Sequence, residues 1–504
     1  MHQSASSERQ SHLGRIAKHF VIYGFGGMAE KLVGFLLLPV YSSFLEPAEY
    51  GALSLVLLTG IIVQLSISGG MHFALLKFYD DAPDARQKTA VYATIQAFLW
   101  VAAPLVVLLL VPWAGTLSYY ILGDRACVRL LYLELIYIPF GLTTDIALSF
   151  FRAMQRSVSF VVFSLARLVA SLTLNIVFVV GLGYGAGGVL WSAILVNVVM
   201  AVAVQFVLLK GFGFHPDLRR LAPILRYGFP LVPFTIFEIV MHDGNKFILQ
   251  WFCSQADVGV FSIAYKLGLA IFYFFSLPFE RIWTVYVFDL ARKPEGRQVW
   301  ARVFTYFMLG VTAASLGVSL FIPEIVQVMA RKPAYWGAAR LVPVIVLAHL
   351  FYASTRVFNG GLLVTGKTEI ISAFTAIGFG VSVLVNLVLI RFFGLMGAAV
   401  ATLVTYVVMA CMSYAVNQRA FPIAYEWRRV VVPLLLACGL FALGRLQGPE
   451  RLWMAFGVHA ALFAAFPIVL LLLGYFTPRE RAAMWEWIRR AREMALRPFR
   501  RLPA

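Results

Sequence analysis

The stretch FLEPAEYGALSL, residues 44–55, lies between two long apolar runs and reads as a short turn followed by a helix. A second stretch, FCSQADVGVFSI at residues 252–263, repeats its order of an acid, one residue, a glycine and an apolar run. The repeat aligns Gly51 with Gly259. Both glycines are interpreted as structural, because a residue without a side chain allows close helix approach or a tight helix start.

Other residues recur at nearly the same spacing. The further pairs are Gly185 with Gly394, Gly188 with Gly397, and Asn175 with Asn386. A spacing this constant indicates one six-helix unit used twice, over about 15–210 and 220–418. Because six is even, both copies enter the membrane from the same side, as in transporters built of parallel repeats around a central cavity.

The composition identifies a membrane protein. The chain is 61% hydrophobic and 13% charged over 504 residues, whereas a soluble domain carries about 25% charged residues. Apolar runs of roughly 20 residues, the length that crosses a bilayer, recur along the chain. They cover 17–43, 50–78, 89–112, 127–151, 158–182, 186–209, 222–252, 258–288, 300–322, 335–363, 369–390, 395–417, 429–446 and 452–475. The sequence therefore predicts an all-α polytopic membrane protein with about fourteen transmembrane helices.

The predicted chain has four parts. Two six-helix lobes at 1–210 and 220–418 surround the central cavity, and two additional transmembrane helices follow at 428–476. Residues 477–504 form an Arg-rich amphipathic tail, with tryptophans suited to headgroup depth and arginines suited to anionic lipid.

The distribution of charge predicts the orientation and excludes a nucleic-acid partner. With the N-terminus in the cytoplasm, most of the 42 basic residues fall on the cytoplasmic side, as the positive-inside rule requires. Both termini and the tail are therefore expected in the cytoplasm. The net charge of +18 then reflects the orientation of the chain in the membrane. Four scattered cysteines give neither a disulfide framework nor a metal site.

Three segments resemble the polysaccharide-exporter flippases of the Wzx type. They are LLLPVYSSFLEPAEYGALSLVLLTGIIVQLSISGGMHFALLKFYDD at 36–81, FRAMQR at 151–156 and FGLMGAAVAT at 393–402. The resemblance covers about 15–418 and extends to the wider multidrug/oligosaccharidyl-lipid/polysaccharide exporter superfamily. It implies two six-helix lobes that move lipid-linked oligosaccharides, lipid-linked peptidoglycan precursors or drugs across the bacterial cytoplasmic membrane. Two extra C-terminal helices occur in only some branches of that superfamily.

Ionisable residues inside apolar runs are the candidate functional residues, because they are costly in hydrocarbon and usually face a cavity or a partner. Helical spacing places Glu238, His242 and Lys246 on one stripe. The candidate substrate-binding residues are Lys31, Lys246, Lys266, Arg281 and Arg356, and the candidate ion-coupling residues are Glu30, Glu238, Asp243 and Glu280.

Four other polar residues within the apolar runs receive structural interpretations. Glu134 and Arg167 are interpreted as an ion pair within the first lobe, and His72 and His349 as packed polar groups.

The sequence predicts a flippase that carries a polyprenyl-diphosphate-linked oligosaccharide to the outer leaflet for cell-surface polysaccharide (O-antigen type) synthesis. Buried cations can bind a diphosphate. The chain shows no ATP-binding, metal-ligand or catalytic motif, so no cofactor and no enzyme activity are expected. The expected energy source is an ion gradient (H⁺ or Na⁺), the membrane potential or downstream consumption of the product. Polymerases or glycosyltransferases are the expected protein partners. The alternatives are a multidrug antiporter, a lipid-linked peptidoglycan precursor flippase and, with less support, a membrane glycosyltransferase or polymerase.

Overall fold

A computed structural model describes residues 34–446, 452–478, 480–482 and 486. This part of the chain is helical and contains no β-strand. The all-α membrane architecture predicted from the sequence is confirmed.

The first group of helices is joined by short connections, and a π-helical segment, Ile176–Gly181, extends its seventh helix. Its helices are α1 Leu38–Phe44, α2 Pro47–Ser68, α3 Met71–Asp80, α4 Ala85–Leu110, α5 Ala114–Leu122, α6 Val128–Ala153, α7 Ser157–Asn175 and α8 Gly185–Phe212.

The second group begins after a short linker, and a π-helical segment, Phe272–Ser276, joins its fourth and fifth helices. Its helices are α9 Leu221–Gly228, α10 Leu231–Asp243, α11 Asn245–Phe252, α12 Gln255–Ile271, α13 Leu277–Ala291, α14 Gly296–Met329, α15 Ala338–Phe358, α16 Gly360–Val364 and α17 Thr368–Ala420. Two further helices follow, α18 Trp427–Leu446 and α19 Leu452–Leu472.

Eleven helices in the described part are long and apolar enough to cross a membrane, or twelve if the pair bent by 45° between α9 and α10 forms one span. The sequence predicts about fourteen, and that number is not confirmed. Of the first predicted segment, only Gly34–Phe44 belongs to the described residues. The segments 369–390 and 395–417 form one helical run, α17, which is broken at Gly394.

One glycine pair of the sequence repeat has a positive φ in both copies. Gly185 has φ 57° at the start of α8, and Gly394 has φ 54° at the break in α17. Side chains strain this region, so glycine is the residue that allows the backbone to turn at both places.

The repeated acid has a different partner in each copy. The Glu49 carboxylate accepts a hydrogen bond of 2.6 Å from the backbone nitrogen of Ala186, at the start of α8. Asp257 instead forms a capping box with Ser254 on its own helix, α12. The two copies therefore share a backbone plan but differ in side-chain contacts.

The repeated glycines bring the two halves together. A Cβ built on Gly51 would overlap the carbonyl oxygen of Gln255 and lie 2.9 Å from the Gly259 nitrogen. A Cβ built on Gly259 would overlap the carbonyl oxygen of Pro47. The N-terminal ends of α2 and α12 thus meet backbone to backbone, which confirms the structural interpretation of both glycines.

The other end of α2 meets the second half in a similar way. A Cβ built on Gly70 would lie 3.0 Å from the carbonyl carbon of Gly228, and one on Gly228 would lie 3.1 Å from that of Gly70. Because Gly228 ends α9, the C-terminal end of α2 touches the point where the α9–α10 pair bends.

The two C-terminal helices pack on one side of α14. Their contact includes a nearly buried pair in which His459 Nδ1 of α19 lies 2.7 Å from Glu324 Oε1 of α14. The tail predicted at 477–504 lies largely outside the described residues. At its start, Glu480 accepts hydrogen bonds of 2.8 and 2.9 Å from the Arg429 guanidinium.

We expect Gly51→Ala or Gly259→Ala to destabilise the purified protein by about 1–3 kcal/mol, because the added methyl forces two packed backbones apart. Thermal unfolding in detergent measures this. Gly310→Ala in α14 is the matched control, since a Cβ there meets nothing within 4 Å. Equal melting temperatures for all three variants would contradict the contact.

Candidate functional site

A cavity of about 860 Å³ lies between the two helix groups. One wall comes from α1 and the residues just before it, α2 and α8, and the other comes from α10, α11, α12, α15 and the π-helical segment Phe272–Ser276. Among the described residues, its charged lining consists of Glu238, Asp243, Lys246, Lys266 and Arg356. The cavity is therefore apolar in most of its lining, with charge concentrated on the second wall.

Arg356 of α15 joins two acids from different helices. Its guanidinium lies 3.2 Å from Glu280 Oε1 on α13 and 3.9 Å from Glu238 Oε1 on α10. It also donates a hydrogen bond of 2.6 Å to the Tyr352 hydroxyl, one turn earlier on its own helix. The guanidinium thus holds α10, α13 and α15 together at the cavity wall.

Lys246 forms an ion pair with Asp243, three residues earlier in the chain. Its ammonium also lies 5.6 Å from the centre of the Tyr265 ring, within cation–π range. Lys246 is therefore neutralised locally at the start of α11.

Lys266 of α12 differs from the other two cations. Its ammonium donates a hydrogen bond of 3.3 Å to the Tyr50 hydroxyl of α2 and lies 5.9 Å from the centre of that ring. No carboxylate of the described residues forms an ion pair with it. Within the part of the chain that the structure describes, Lys266 is thus a cation bound by a hydroxyl rather than a carboxylate, where the two walls meet.

A histidine and three tyrosines form a hydrogen-bonded network beside these charges. His242 Nδ1 bonds to the Tyr406 hydroxyl, and His242 Nε2 lies 3.1 Å from the Tyr352 hydroxyl. The Tyr265 hydroxyl lies 3.3 Å from that of Tyr406. The network links α10, α12, α15 and α17, so it fixes the wall that carries the ion pairs.

A family model described as polysaccharide biosynthesis protein matches residues 16–283, just over half of the chain. The chain belongs to the polysaccharide biosynthesis protein family. No curated protein sequence matches it.

Solved structures show the fold of this family member. It is similar to the lipid II flippase MurJ in an inward closed conformation, with a TM-score of 0.72 at 11% identity over 90% of this chain and 99% of that one. It is also similar to an inward-facing multidrug resistance MATE family transporter of the MOP superfamily. That match has a TM-score of 0.66 at 14% identity and covers 77% of this chain and 94% of the transporter. The chain is also similar to the Vibrio cholerae MATE transporter VcmN in the bent form. That match has a TM-score of 0.53 at 12% identity and covers 82% of this chain and 97% of VcmN.

The structure brings most of the candidate residues to one place. Glu238, Asp243, Lys246, Lys266 and Arg356 line the cavity. Glu280 is not in the cavity lining but is paired with Arg356, which is. Arg281 is not among the described lining residues. Glu30 and Lys31 lie outside the described residues.

The sequence interpretation of Glu134 and Arg167 as an ion pair is wrong. Arg167 Nη1 of α7 lies 2.8 Å from Asp145 Oδ1 of α6. Asp145 lies three turns beyond Glu134 on α6, so one guanidinium cannot reach both acids. His349 is a packed polar group, as expected, with Nδ1 2.8 Å from the Ile345 carbonyl oxygen.

Sequence reasoning did not identify Tyr265, Tyr352 and Tyr406. Tyrosine in an apolar run is common, and in the sequence only a nearby ionisable residue could single one out. Tyr265 is next to Lys266, and Tyr352 is one turn from Arg356. Those spacings could have indicated two of them, but Tyr406 has no charged neighbour in the sequence.

We expect Arg356→Ala to destabilise the protein by about 3 kcal/mol, because it leaves the Glu238 and Glu280 carboxylates without a cation. The triple change Arg356→Met, Glu238→Gln and Glu280→Gln should recover most of this loss, since no unpaired charge remains. Thermal unfolding of the purified variants measures both effects.

Arg302→Ala is the control for Arg356→Ala, since Arg302 is an exposed arginine on α14. The proposed wall contact is wrong if Arg356→Ala lowers the melting temperature no more than Arg302→Ala does.

Proposed function

We propose that this protein is a flippase that moves a polyprenyl-diphosphate-linked oligosaccharide from the cytoplasmic to the outer leaflet of the bacterial cytoplasmic membrane. The observation that carries the proposal is the cavity of about 860 Å³ between the two halves, which places a lysine that no described carboxylate pairs with beside aromatic rings. Membership of the polysaccharide biosynthesis protein family and the MurJ-like and MATE-like fold support it.

The diphosphate is assigned to the cations of the second wall. The ammonium of Lys266 donates to the Tyr50 hydroxyl, so a diphosphate can bind this ammonium without displacing a described carboxylate. Lys246 and Arg356 already have acidic partners, and a diphosphate that binds them competes with Asp243 or with Glu280. Charge-assisted hydrogen bonds to phosphate oxygens are strong enough for that exchange.

The sugars are assigned to the aromatic lining. Tyr50, Tyr265, Tyr273 and Phe272 present ring faces or edges to the same cavity as the cations. Aromatic faces can stack on the apolar faces of sugars while the hydroxyl groups of the tyrosines form hydrogen bonds. A headgroup that carries both diphosphate and sugars can thus replace its water inside the protein.

The lipid chain is assigned to the bilayer, outside the cavity. At the cavity wall, Phe35 next to α1 and Phe274 of the π-helical segment meet edge to face, with ring centres 6.3 Å apart. Phe274 is 47% exposed. This contact between the two halves is the place where a polyprenyl chain can enter the lipid while its headgroup occupies the cavity.

The orientation follows the positive-inside rule, with both termini cytoplasmic. The contact of Gly51 with Gly259 then closes the outer end of the cavity. Glu30, Glu238, Asp243 and Glu280 remain the proposed coupling residues, with H⁺ or Na⁺ as the driving ion. Downstream polymerases or glycosyltransferases remain the proposed partners.

A drug antiporter of the same fold is the second candidate. Cationic drugs favour acidic cavities, and here each described acid of the cavity wall already has a basic partner. Among the described charges of the cavity lining, that of Lys266 has no ion-pair partner, which favours an anionic ligand. A lipid-linked peptidoglycan precursor shares the diphosphate, so binding experiments must separate it from the oligosaccharide.

We expect Lys266→Gln to weaken binding of the lipid-diphosphate oligosaccharide by about 10–100-fold, the effect of losing a charge-assisted hydrogen bond. Binding to purified protein in detergent measures this. The comparison ligands are the free oligosaccharide, a cationic drug and a lipid-linked peptidoglycan precursor.

Lys367→Gln is the control, because Lys367 is exposed and outside the cavity lining. Equal affinity of Lys266→Gln and the wild type would contradict the diphosphate assignment. Free oligosaccharide binding as tightly as the diphosphate-linked form would also do so, and tighter binding of the peptidoglycan precursor would favour that substrate instead.

A further inference from the structure

One buried acid has no role in the cavity. Glu134 lies on α6 with 2% of its surface exposed. Its Oε2 atom is buried without a hydrogen-bond partner, and no described basic residue forms an ion pair with it. An ionised carboxylate in such a place costs several kcal/mol. The neutral, protonated form is therefore the one that this conformation accommodates.

Gly60 of α2 makes the space for this carboxyl group. A Cβ built on Gly60 would overlap the carboxyl of Glu134 and lie 2.7 Å from its Cγ. The acid thus packs directly against the backbone of α2. Any shift of α2 along or away from α6 changes the surroundings of the carboxyl group and its access to water.

Among the described residues, no basic side chain on the elements packed against α6 forms an ion pair with Glu134. These elements are α2, α3, α4, α5, α7, α8 and the short 3₁₀ helix Arg125–Cys127. Their titratable residues are Glu49, Tyr50, His72, Lys77, Tyr79, Asp80, Arg86, Lys88, Tyr92, Tyr119, Tyr120, Arg125, Cys127, Arg167 and Lys210. Glu49 is bound to the Ala186 nitrogen, and Arg167 to Asp145. The titratable residues of α6 itself are Arg129, Tyr132, Tyr137, Asp145 and Arg152, of which Tyr132 lies two residues before Glu134 and Tyr137 three residues after it.

The other membrane acids described above contrast with Glu134. Glu238 and Glu280 share Arg356, and Asp243 is paired with Lys246. Removing a proton from Glu134 instead creates a charge that no basic residue in the described part of the chain pairs with. A metal ion would need several oxygen ligands, and no group of three or more potential metal-binding side chains occurs among the described residues. A proton is the ligand that this site fits.

We propose that Glu134 is a proton-binding site that links proton movement to the position of α2. The carboxyl holds a proton on Oε2 while α2 packs against it. It releases that proton to water when α2 moves and water reaches the group. Because α2 also carries Gly51 and lines the cavity, proton binding and lobe movement involve the same helix. This assignment rests on the proposed transport function and names the driving ion.

Infrared difference spectroscopy of the purified protein, without substrate, tests the site directly. We expect the wild type to show the carbonyl stretch of a protonated carboxyl at neutral pH and Glu134→Gln to lose that band. Glu238→Gln is the control and should keep it, since Glu238 is paired with Arg356. Absence of the band in the wild type, or its survival in Glu134→Gln, overturns the proposal.

Proteoliposomes loaded with the lipid-diphosphate oligosaccharide test the coupling. We expect Glu134→Gln to keep its melting temperature and its exchange of substrate between leaflets without a gradient, but to lose stimulation by a pH gradient. Gly60→Ala displaces the carboxyl group and should reduce that stimulation too. Unchanged stimulation in Glu134→Gln overturns the coupling. No exchange in the wild type, with the infrared band present, would contradict the substrate assignment and leave the proton site standing.

Discussion

The backbone contact between Gly51 and Gly259 is the interaction on which the arrangement of the two halves depends. Both glycines follow an acid at the start of a helix, and each lies where a Cβ would overlap a carbonyl oxygen of the other helix. Two helices can approach this closely only where neither has a side chain. The contact sets the distance between α2 and α12, and thereby the width of the cavity that these helices line.

The charges of the cavity follow from the same arrangement. Hydrocarbon-buried cations require partners, and Arg356 and Lys246 find theirs within the second half. Lys266, which lies where the halves meet, finds a hydroxyl of the first half instead. Under the proposed function, an anionic ligand that binds Lys266 displaces a hydroxyl and no described carboxylate. Binding at this junction then changes contacts on both sides, as a transport cycle requires.

Much of this could be predicted from the sequence, because it depends on spacing. The repeat indicated the paired glycines, and helical periodicity placed Glu238, His242 and Lys246 on one face. Spacing cannot say which helix lies opposite that face. It therefore did not show that Arg356 joins Glu238 to Glu280, nor that His242 meets Tyr406. Glu134 and Arg167 were predicted to pair only because their charges are opposite. In the structure Arg167 is paired with Asp145 instead.

Leaflet exchange in proteoliposomes tests the central claim most directly. The purified protein is reconstituted with a polyprenyl-diphosphate oligosaccharide, and a sugar-specific reagent added outside reports the fraction of headgroups in the outer leaflet. We expect the inner pool to become accessible with the wild-type protein and to stay protected both in protein-free vesicles and with Lys266→Gln. A protected inner pool with the wild type, or equal exchange with Lys266→Gln, would contradict it.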